Sequence, residues 1–123
     1  MSALRVERVE GVPIARVPED IDAANAARVR QELADCYHQD VDTVVLDLTD
    51  TAYLDSAGID MLFRLSERLR QRRSRLLLVI AEGSQLQRLG RIVGLARAMP
   101  VHDTVEEALR SLSSDACEAS ERS

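Results

Sequence analysis

The stretch of this sequence best suited to chemistry is residues 55–58, which read Asp-Ser-Ala-Gly. Before it, residues 44–48 form a short apolar run rich in β-branched side chains, which indicates a strand buried on both faces. After it, residues recur at helical intervals and predict a helix packed on the sheet: Ile59, Leu62, Phe63, Ser66 and Leu69. Ser56 therefore lies at a strand-to-helix junction, where free backbone N–H groups and the helix dipole favour negative charge. We expect its hydroxyl, held there by Gly58, to be a place where a phosphate is added and removed.

The position of Ser56 is also compatible with roles other than phosphate chemistry. Either Asp55 or Ser56 can cap the helix through a side-chain oxygen, and on position alone a simple cap is the favoured interpretation of Ser56. A hydrolase nucleophile is not indicated, because the sequence has no Gly-x-Ser-x-Gly motif and neither His38 nor His102 has a partner pattern. The absence of lysine excludes a Gly-x-x-x-x-Gly-Lys phosphate loop. We expect no enzyme activity, no cofactor and no metal site, and we interpret the acidic residues as loop and cap residues: Asp20, Asp22, Asp47, Asp50 and Asp55.

The composition is typical of one globular domain. The chain has 123 residues, of which 46% are hydrophobic and 30% charged, and its net charge is −5. The acidic balance and the presence of only three aromatic residues, Tyr37, Tyr53 and Phe63, argue against binding to nucleic acid. No apolar run approaches the ~20 residues that span a membrane, and no leader pattern opens the chain. Because Cys36 and Cys117 are far apart and lack metal-binding spacing, we expect a reduced, cytoplasmic protein.

The pattern of apolar residues predicts the element order β-β-α-β-α-β-α-β-α. Strands are expected at residues 4–9, 12–17, 44–48, 76–80 and 98–102. Helices are expected to begin at Asp22 or Ala23, after Gly58, after Ser84 and after Thr104, with Gly94 ending the third. This order predicts an α/β sandwich with a mostly parallel central sheet and four helices. We expect one domain over residues 1–113 and a frayed tail over residues 114–123.

Two stretches of the sequence resemble those of a known family. Residues 44–50, a spacer ending in Leu54, and then residues 55–59, Asp-Ser-Ala-Gly-Ile, look like the signature of STAS domains. These are the sulfate-transporter and anti-sigma-antagonist domains. The loop Glu19-Asp20-Ile21-Asp22 resembles the family's Gly-Glu-Leu-Asp loop before the first helix, with residues 18–20 replacing its opening. The order of strands and helices agrees along about residues 4–112.

The resemblance implies a bacterial anti-sigma factor antagonist. Such a protein binds an anti-sigma factor, itself a serine kinase of the GHKL ATPase type, and so frees a sigma factor for transcription. Ser56 would be the serine that the kinase phosphorylates, which switches the antagonist off, and a PP2C-type phosphatase would restore it. Asp22 matches a loop aspartate that lies near that serine in the family, and Asp55 and Gly58 match the motif's flanking positions. With this pattern, a phosphorylation switch becomes the favoured interpretation of Ser56.

A partner-binding surface is expected beside Ser56, formed by the start of the second helix and the loop of residues 18–22. Met61 and Leu65 are predicted at the edge of the helix's apolar stripe, where they are either peripheral core residues or apolar partner contacts, and we expect them to serve as partner contacts. Asp60 stands where many family members have a second glycine and adds an acid in the first helical turn. A monomer or weak dimer is expected. The alternative function is a STAS subunit that is never phosphorylated, fixed in a lipid-transport ABC complex or a stress-sensing assembly.

Overall fold

The fold is built on a five-stranded sheet, seen in a computed structural model that describes residues 4–36 and 42–112. Its strands follow the chain in spatial order, β1-β2-β3-β4-β5. The strands β1 and β2 form an antiparallel hairpin, and every later pairing is parallel. The predicted mostly parallel sheet is therefore confirmed. The strand bounds are Arg5–Val9, Val12–Arg16, Thr43–Asp47, Arg75–Val79 and Val101–His102, for β1 to β5.

The helices follow the predicted order, with one addition. They are Ala26–Cys36, Ser56–Gln71, Gln85–Val93 and Leu95–Ala98, for α1 to α4, and residues 105–112, for α5. The short α4 was not predicted: residues 95–97 were given no element, and residue 98 was assigned to the last strand, which begins at Val101. Gly94 adopts φ +76°, which ends α3 in the left-handed conformation that glycine tolerates. The chain then makes one further turn, which Leu95 and Met99 anchor in the core.

The helix ends follow local capping chemistry. Ser84 accepts a hydrogen bond from the Gln87 N–H at 3.1 Å, and Thr104 accepts one from the Glu107 N–H at 3.1 Å, as predicted. The start of α1 is three to four residues later than predicted. Residues 22–25 instead form a turn, because the Asp22 side chain bonds to backbone N–H groups within its own loop. The predicted ending of α1 at residue 37 and the predicted tail lie outside the described residues.

The two faces of the sheet bury separate sets of apolar side chains. The helices α1 to α4 cover one face, against strand residues that include Ala15, Val44 and Leu46. Residues 105–112 cover the other face through Val105, Ala108, Leu109 and Leu112, which pack on Ile14, Val45, Leu77 and Val79. Since successive side chains of a strand point to opposite faces, a central strand with helices on both faces is apolar throughout. This explains the continuous apolar run in β3, whose five residues are all buried.

The C-terminal end of β3 is fixed before the chain enters the motif. The buried Asp47 carboxylate accepts hydrogen bonds from the Arg16 Nε–H at 3.0 Å and from the Thr49 N–H at 2.9 Å. The first of these bonds links β2 to β3. The hydrogen bond and charge of Asp47 raise the pKa of the Arg16 guanidinium. The loop that leads to Ser56 therefore starts from a rigid point on the sheet.

Candidate functional site at the start of α2

Asp55 is the N-cap of α2, which decides a question that the sequence left open. Its Oδ1 accepts a hydrogen bond from the Gly58 N–H at 3.0 Å. Its Oδ2 accepts a second one from the Ala23 N–H at 3.1 Å, across the gap to the preceding loop. Ser56 is the first residue of the helix, and it is exposed. Among the residues that the structure describes, no hydrogen bond occupies the Ser56 hydroxyl.

The loop before α1 is joined to the loop before α2 by backbone pairing. The Ile21 N–H donates to the Tyr53 carbonyl at 3.3 Å, and the Asp55 N–H donates to the Ile21 carbonyl at 3.2 Å. The Asp20 carboxylate accepts from the N–H groups of Ala52 and Tyr53, at 2.8 and 3.0 Å. Ile21 itself is fully buried, so the loop is anchored in the core. The structure thus brings the acidic loop to the motif, as the resemblance implied.

Asp22 lies in this joined segment, but its carboxylate accepts hydrogen bonds only from backbone N–H groups of its own loop, among the residues described. Its Oδ1 accepts from the N–H groups of Ala24 at 2.9 Å and Asn25 at 3.2 Å, and the Asn25 Oδ1 accepts from the Asp22 N–H at 2.9 Å. These reciprocal bonds form the turn that leads into α1. Asp22 therefore stabilises the conformation of the loop beside Ser56 through hydrogen bonds inside that loop. The direct bonds between this loop and the motif are made by the two neighbours of Asp22, through the Ala23 N–H and the Ile21 carbonyl.

Gly58 allows the two loops to come this close. A Cβ atom at this position would lie 2.8 Å from the Ile21 carbonyl oxygen and 3.2 Å from the Ile21 Cβ. The first distance is shorter than van der Waals contact, and the obstacle is backbone that is itself hydrogen-bonded to Asp55. The glycine of the motif is therefore required by packing, because α2 begins directly against the preceding loop.

The prediction that Met61 and Leu65 lie at the edge of the apolar stripe of α2 is wrong. Both are buried in the main core, with exposed fractions of 4% and 3%, and neither lies at the edge of the apolar stripe. Instead Ile59 and Phe63 are only partly buried. The reason is that α2 packs against α1 as well as against the sheet, so its buried face is turned toward α1. Met61 and Leu65 are thus unsuited to be the main apolar contacts of a partner.

The surface beside Ser56 is instead a shallow groove between α1 and α2, with a volume of about 310 Å³. Met61 contributes to its floor. Its walls are formed by alanines of α1, of the turn before α1 and of α2: Ala26, Ala27, Ala23 and Ala57. Its charged residues are Arg30, Asp60 and Arg64, and the Arg64 Nε–H donates to the Asp60 carboxylate at 2.6 Å. Asp60 is therefore paired with a cation one turn away. The groove offers a partner small apolar side chains bordered by charge.

Tyr53 is a candidate contact that the sequence analysis did not single out. It lies three residues before Ser56, and 54% of it is exposed although its backbone is bonded to Asp20 and Ile21. An exposed aromatic side chain on a fixed backbone is typical of residues that dominate protein interfaces. The sequence did contain a signal for this residue, because Tyr53 lies in the motif's spacer between two leucines that are buried, Leu48 and Leu54.

The described part of the chain has neither a metal site nor a membrane-spanning helix. Residues 4–36 and 42–112 contain no group of three or more His, Cys, Asp or Glu side chains placed to hold a metal ion. Within the same ranges, no helix has the length and apolar character needed to cross a membrane. The carboxylates of Asp20 and Asp55, near Ser56, accept hydrogen bonds from backbone N–H groups.

The fold and the site define the class of protein. A mixed sheet covered by helices on both faces carries an Asp-Ser-x-Gly motif where the central strand leads into a helix. The family profile of the STAS domain matches residues 3–108. This chain belongs to the STAS domain family, which confirms the resemblance seen in its sequence.

Solved structures share the fold at low sequence identity. An anti-sigma factor antagonist from Mycobacterium paratuberculosis is 24% identical, with a TM-score of 0.78 over 89% of this chain and 92% of that chain. The Bacillus cell fate determinant SpoIIAA, in its phosphorylated form, is 18% identical, with a TM-score of 0.62 over 89% of this chain and 99% of that chain. The murine anion transporter Slc26a9 is 19% identical, with a TM-score of 0.72 over 88% of this chain but only 18% of the transporter. The same fold thus forms whole regulatory proteins and one part of a transporter.

Proposed function

We propose that this protein is an anti-sigma factor antagonist that is switched off by phosphorylation of Ser56. In its unmodified form it binds an anti-sigma factor in the cytoplasm and so frees a sigma factor. The anti-sigma factor is a GHKL-type serine kinase that phosphorylates Ser56, and a PP2C-type phosphatase removes the phosphate. The family membership and the similarity to anti-sigma factor antagonists support this proposal. It is a binding function, which requires no cofactor and no catalytic residue.

The observation that carries the proposal is that Ser56 is exposed and that its hydroxyl does not serve as the cap of α2. Three other hydroxyls are alternative acceptors, and each is occupied. Thr51 is buried and donates to the Glu19 carbonyl at 3.1 Å, while Ser66 donates to the Ala98 carbonyl at 3.4 Å. Ser84 donates to the Ala81 carbonyl and caps α3. A kinase can therefore reach Ser56 without breaking a hydrogen bond of the fold.

Phosphate at Ser56 changes charge more than structure. It adds about −1.5 to −2 charges at neutral pH. Free N–H groups at the start of α2 and the helix dipole stabilise that charge, so the domain stays folded. The surface nearby already carries Asp55 and Asp60. A partner that covers this surface must desolvate the added charge. If the partner has no cation at that point of its own surface, the desolvation costs several kcal/mol. About 3–4 kcal/mol lowers affinity by two to three orders of magnitude.

The docking surface consists of Tyr53, Ser56, Ala57 and the groove between α1 and α2. Tyr53 supplies the large apolar contact, and the alanine walls allow a partner side chain to approach closely. Asp60 and Arg64 lie at the charged edge, where they influence the rate and specificity of association. This surface replaces the predicted contacts of Met61 and Leu65, which are buried.

The test is a calorimetric titration of variants against the anti-sigma factor. Ser56→Glu is expected to bind at least tenfold more weakly than the unmodified protein, which is about 1.4 kcal/mol. Ser56→Ala is expected to bind like the unmodified protein and to resist phosphorylation. Gln85→Glu is the matched control, because Gln85 is also exposed at the first position of a helix, α3, and gains the same charge. It is expected to bind normally.

Phosphorylation itself is tested by incubating the protein with its kinase and ATP and mapping the product by mass spectrometry. Phosphate is expected on Ser56 alone, and Ser56→Ala should accept none. Modification chiefly at Thr51, Ser66 or Ser84 would overturn the assignment of the acceptor. If the phosphorylated and unmodified proteins bind the anti-sigma factor equally well, the switch itself is refuted.

A second candidate function is a fixed STAS subunit of a transport or stress-sensing assembly that is never phosphorylated. The observation that favours it is the same fold within the Slc26a9 transporter. The two functions differ in the mass of the protein isolated from its own cells. A mass that falls by one phosphate after phosphatase treatment supports the switch. An unchanged mass, together with recovery of a transporter ATPase in a pull-down, supports the fixed subunit.

A further inference from the structure

The corner between α3 and α4 presents an apolar surface surrounded by arginine. Ile92 is 82% exposed, the most exposed of the large apolar residues described, and the adjacent Val93 is 36% exposed. Arg88 lies one turn before Ile92 on the same helical face, Arg91 precedes it directly, and Arg97 packs beside Gly94. All three arginines are exposed. We name this surface, formed by Arg88, Arg91, Ile92, Val93 and Arg97, the Ile92 patch.

The charge of this region is opposite to that of the whole protein. Residues 83–102 contain three arginines and no acidic residue, whereas the chain has a net charge of −5. Within residues 4–36 and 42–112, no ion pair involves any of the three arginines. A single exposed isoleucine is ordinary on a protein surface. An exposed isoleucine and valine surrounded by three unpaired cations combine apolar contact with local positive charge, which is suited to an acidic partner.

The Ile92 patch lies away from the Ser56 surface. Both α2 and α3 begin where their preceding strands, β3 and β4, end, so Ser56 and Ser84 lie at the same edge of the sheet. Because β5 is parallel to β4, the chain from α3 through α4 must return to the opposite edge, so Ile92, Val93 and Arg97 lie toward that edge. A partner on the patch can therefore bind while the Ser56 surface is occupied or phosphorylated.

We propose that the Ile92 patch binds a second protein partner through an acidic segment that also carries an apolar side chain. Ile92 and Val93 provide the apolar contact, and Arg88, Arg91 and Arg97 pair with carboxylates around it. A symmetric dimer through this patch is disfavoured, because it would place the same arginines against each other. A lipid surface is also disfavoured, because α3 has nine residues with no aromatic side chain and the chain as a whole is acidic.

The test uses the full chain with a photo-crosslinking amino acid at position 92, expressed in the cells that naturally produce it. We expect a crosslink to another protein through a peptide of net negative charge. Arg91→Glu in the same chain should reduce the yield at least tenfold. Arg68→Glu, a charge reversal at an exposed site on α2, should leave the yield unchanged. Ser56→Glu should also leave it unchanged, which separates this proposal from the proposed function.

The affinity is then measured with a synthetic copy of the crosslinked peptide, titrated into the unmodified protein and followed by NMR. Shifts should concentrate at residues 88–97 and decrease with salt, and Ile92→Ser should weaken binding at least fivefold while the variant unfolds at an unchanged temperature. Four outcomes would overturn the proposal: no crosslink, a crosslink to the protein's own chain or to lipid, a peptide without net negative charge, or a yield that Arg91→Glu does not reduce.

Discussion

The packing of Gly58 against the preceding loop yields the most quantitative prediction. Gly58→Ala places a methyl group 2.8 Å from the Ile21 carbonyl oxygen and 3.2 Å from the Ile21 Cβ and Cγ2 atoms. That carbonyl accepts a hydrogen bond from the Asp55 N–H, and Ile21 is fully buried. A shift of Ile21 would therefore weaken this hydrogen bond and disturb the core packing. The start of α2 must therefore move away from the loop of residues 18–22.

The expected loss of stability follows from three opposing effects. Alanine is favoured over glycine within a helix by about 1 kcal/mol. Overpacking against fixed backbone costs about 1–3 kcal/mol. Separation of the loops weakens the Asp55–Ile21 hydrogen bond, which contributes about 1 kcal/mol. We therefore expect Gly58→Ala to lower the free energy of unfolding by about 1–3 kcal/mol.

Gly90→Ala is the control, because Gly90 is also a buried helical glycine. The Cβ atom there would lie 3.2 Å from the Leu95 Cδ1, the end of a side chain that can rotate or shift. We expect urea denaturation to show Gly58→Ala at least about 1 kcal/mol less stable than Gly90→Ala, with similar m-values. If both variants are equally stable, or if Gly58→Ala is the more stable, the packing argument for the motif's glycine is refuted.

The remaining predictions concern the cap and the docking surface. Asp55→Ala should lower the free energy of unfolding by about 1–2 kcal/mol, whereas Ser56→Ala should change it by less than about 0.5 kcal/mol, in the same urea experiment. The reverse result would make Ser56 the cap. Tyr53→Ala should weaken binding of the anti-sigma factor at least tenfold by calorimetry with stability nearly unchanged, and normal binding would remove Tyr53 from the interface. Asp60→Asn should increase the rate of Ser56 phosphorylation in a kinase assay, because it removes a like charge from the acceptor's surroundings, and an unchanged rate would contradict this.

The features that the sequence could predict are those that depend on local chemistry. The caps at Ser84 and Thr104 and the glycine that ends α3 follow from side-chain and backbone preferences within a few residues. The buried strands follow from continuous apolar runs, which require helices on both faces of the sheet. The change from a continuous apolar run to helical spacing placed the motif at the correct junction, with Asp55 and Ser56 at the helix start.

The features that it could not predict depend on contacts distant in sequence. The burial of Met61 and Leu65 results from the packing of α1 beside α2, and the period of the apolar residues does not reveal which neighbour a helix face will meet. The bonds from Asp20 to the loop before Ser56 span more than 30 residues. The short α4 arises where Leu95 and Met99 enter the core, and the chain becomes extended only at Met99, one residue later than expected.

The order of the two polar residues in the motif determines what a phosphate can do. A capping side chain is part of the fold, so modifying it would remove a hydrogen bond and destabilise the helix. In this protein Asp55 makes the cap and also holds Ala23, and its two oxygens are both engaged. Ser56, one position later, is exposed where backbone N–H groups and the helix dipole tolerate added charge. We therefore expect a phosphate there to change the charge presented to a partner while the bonds between the two loops remain, so that it would act on binding and leave the fold intact.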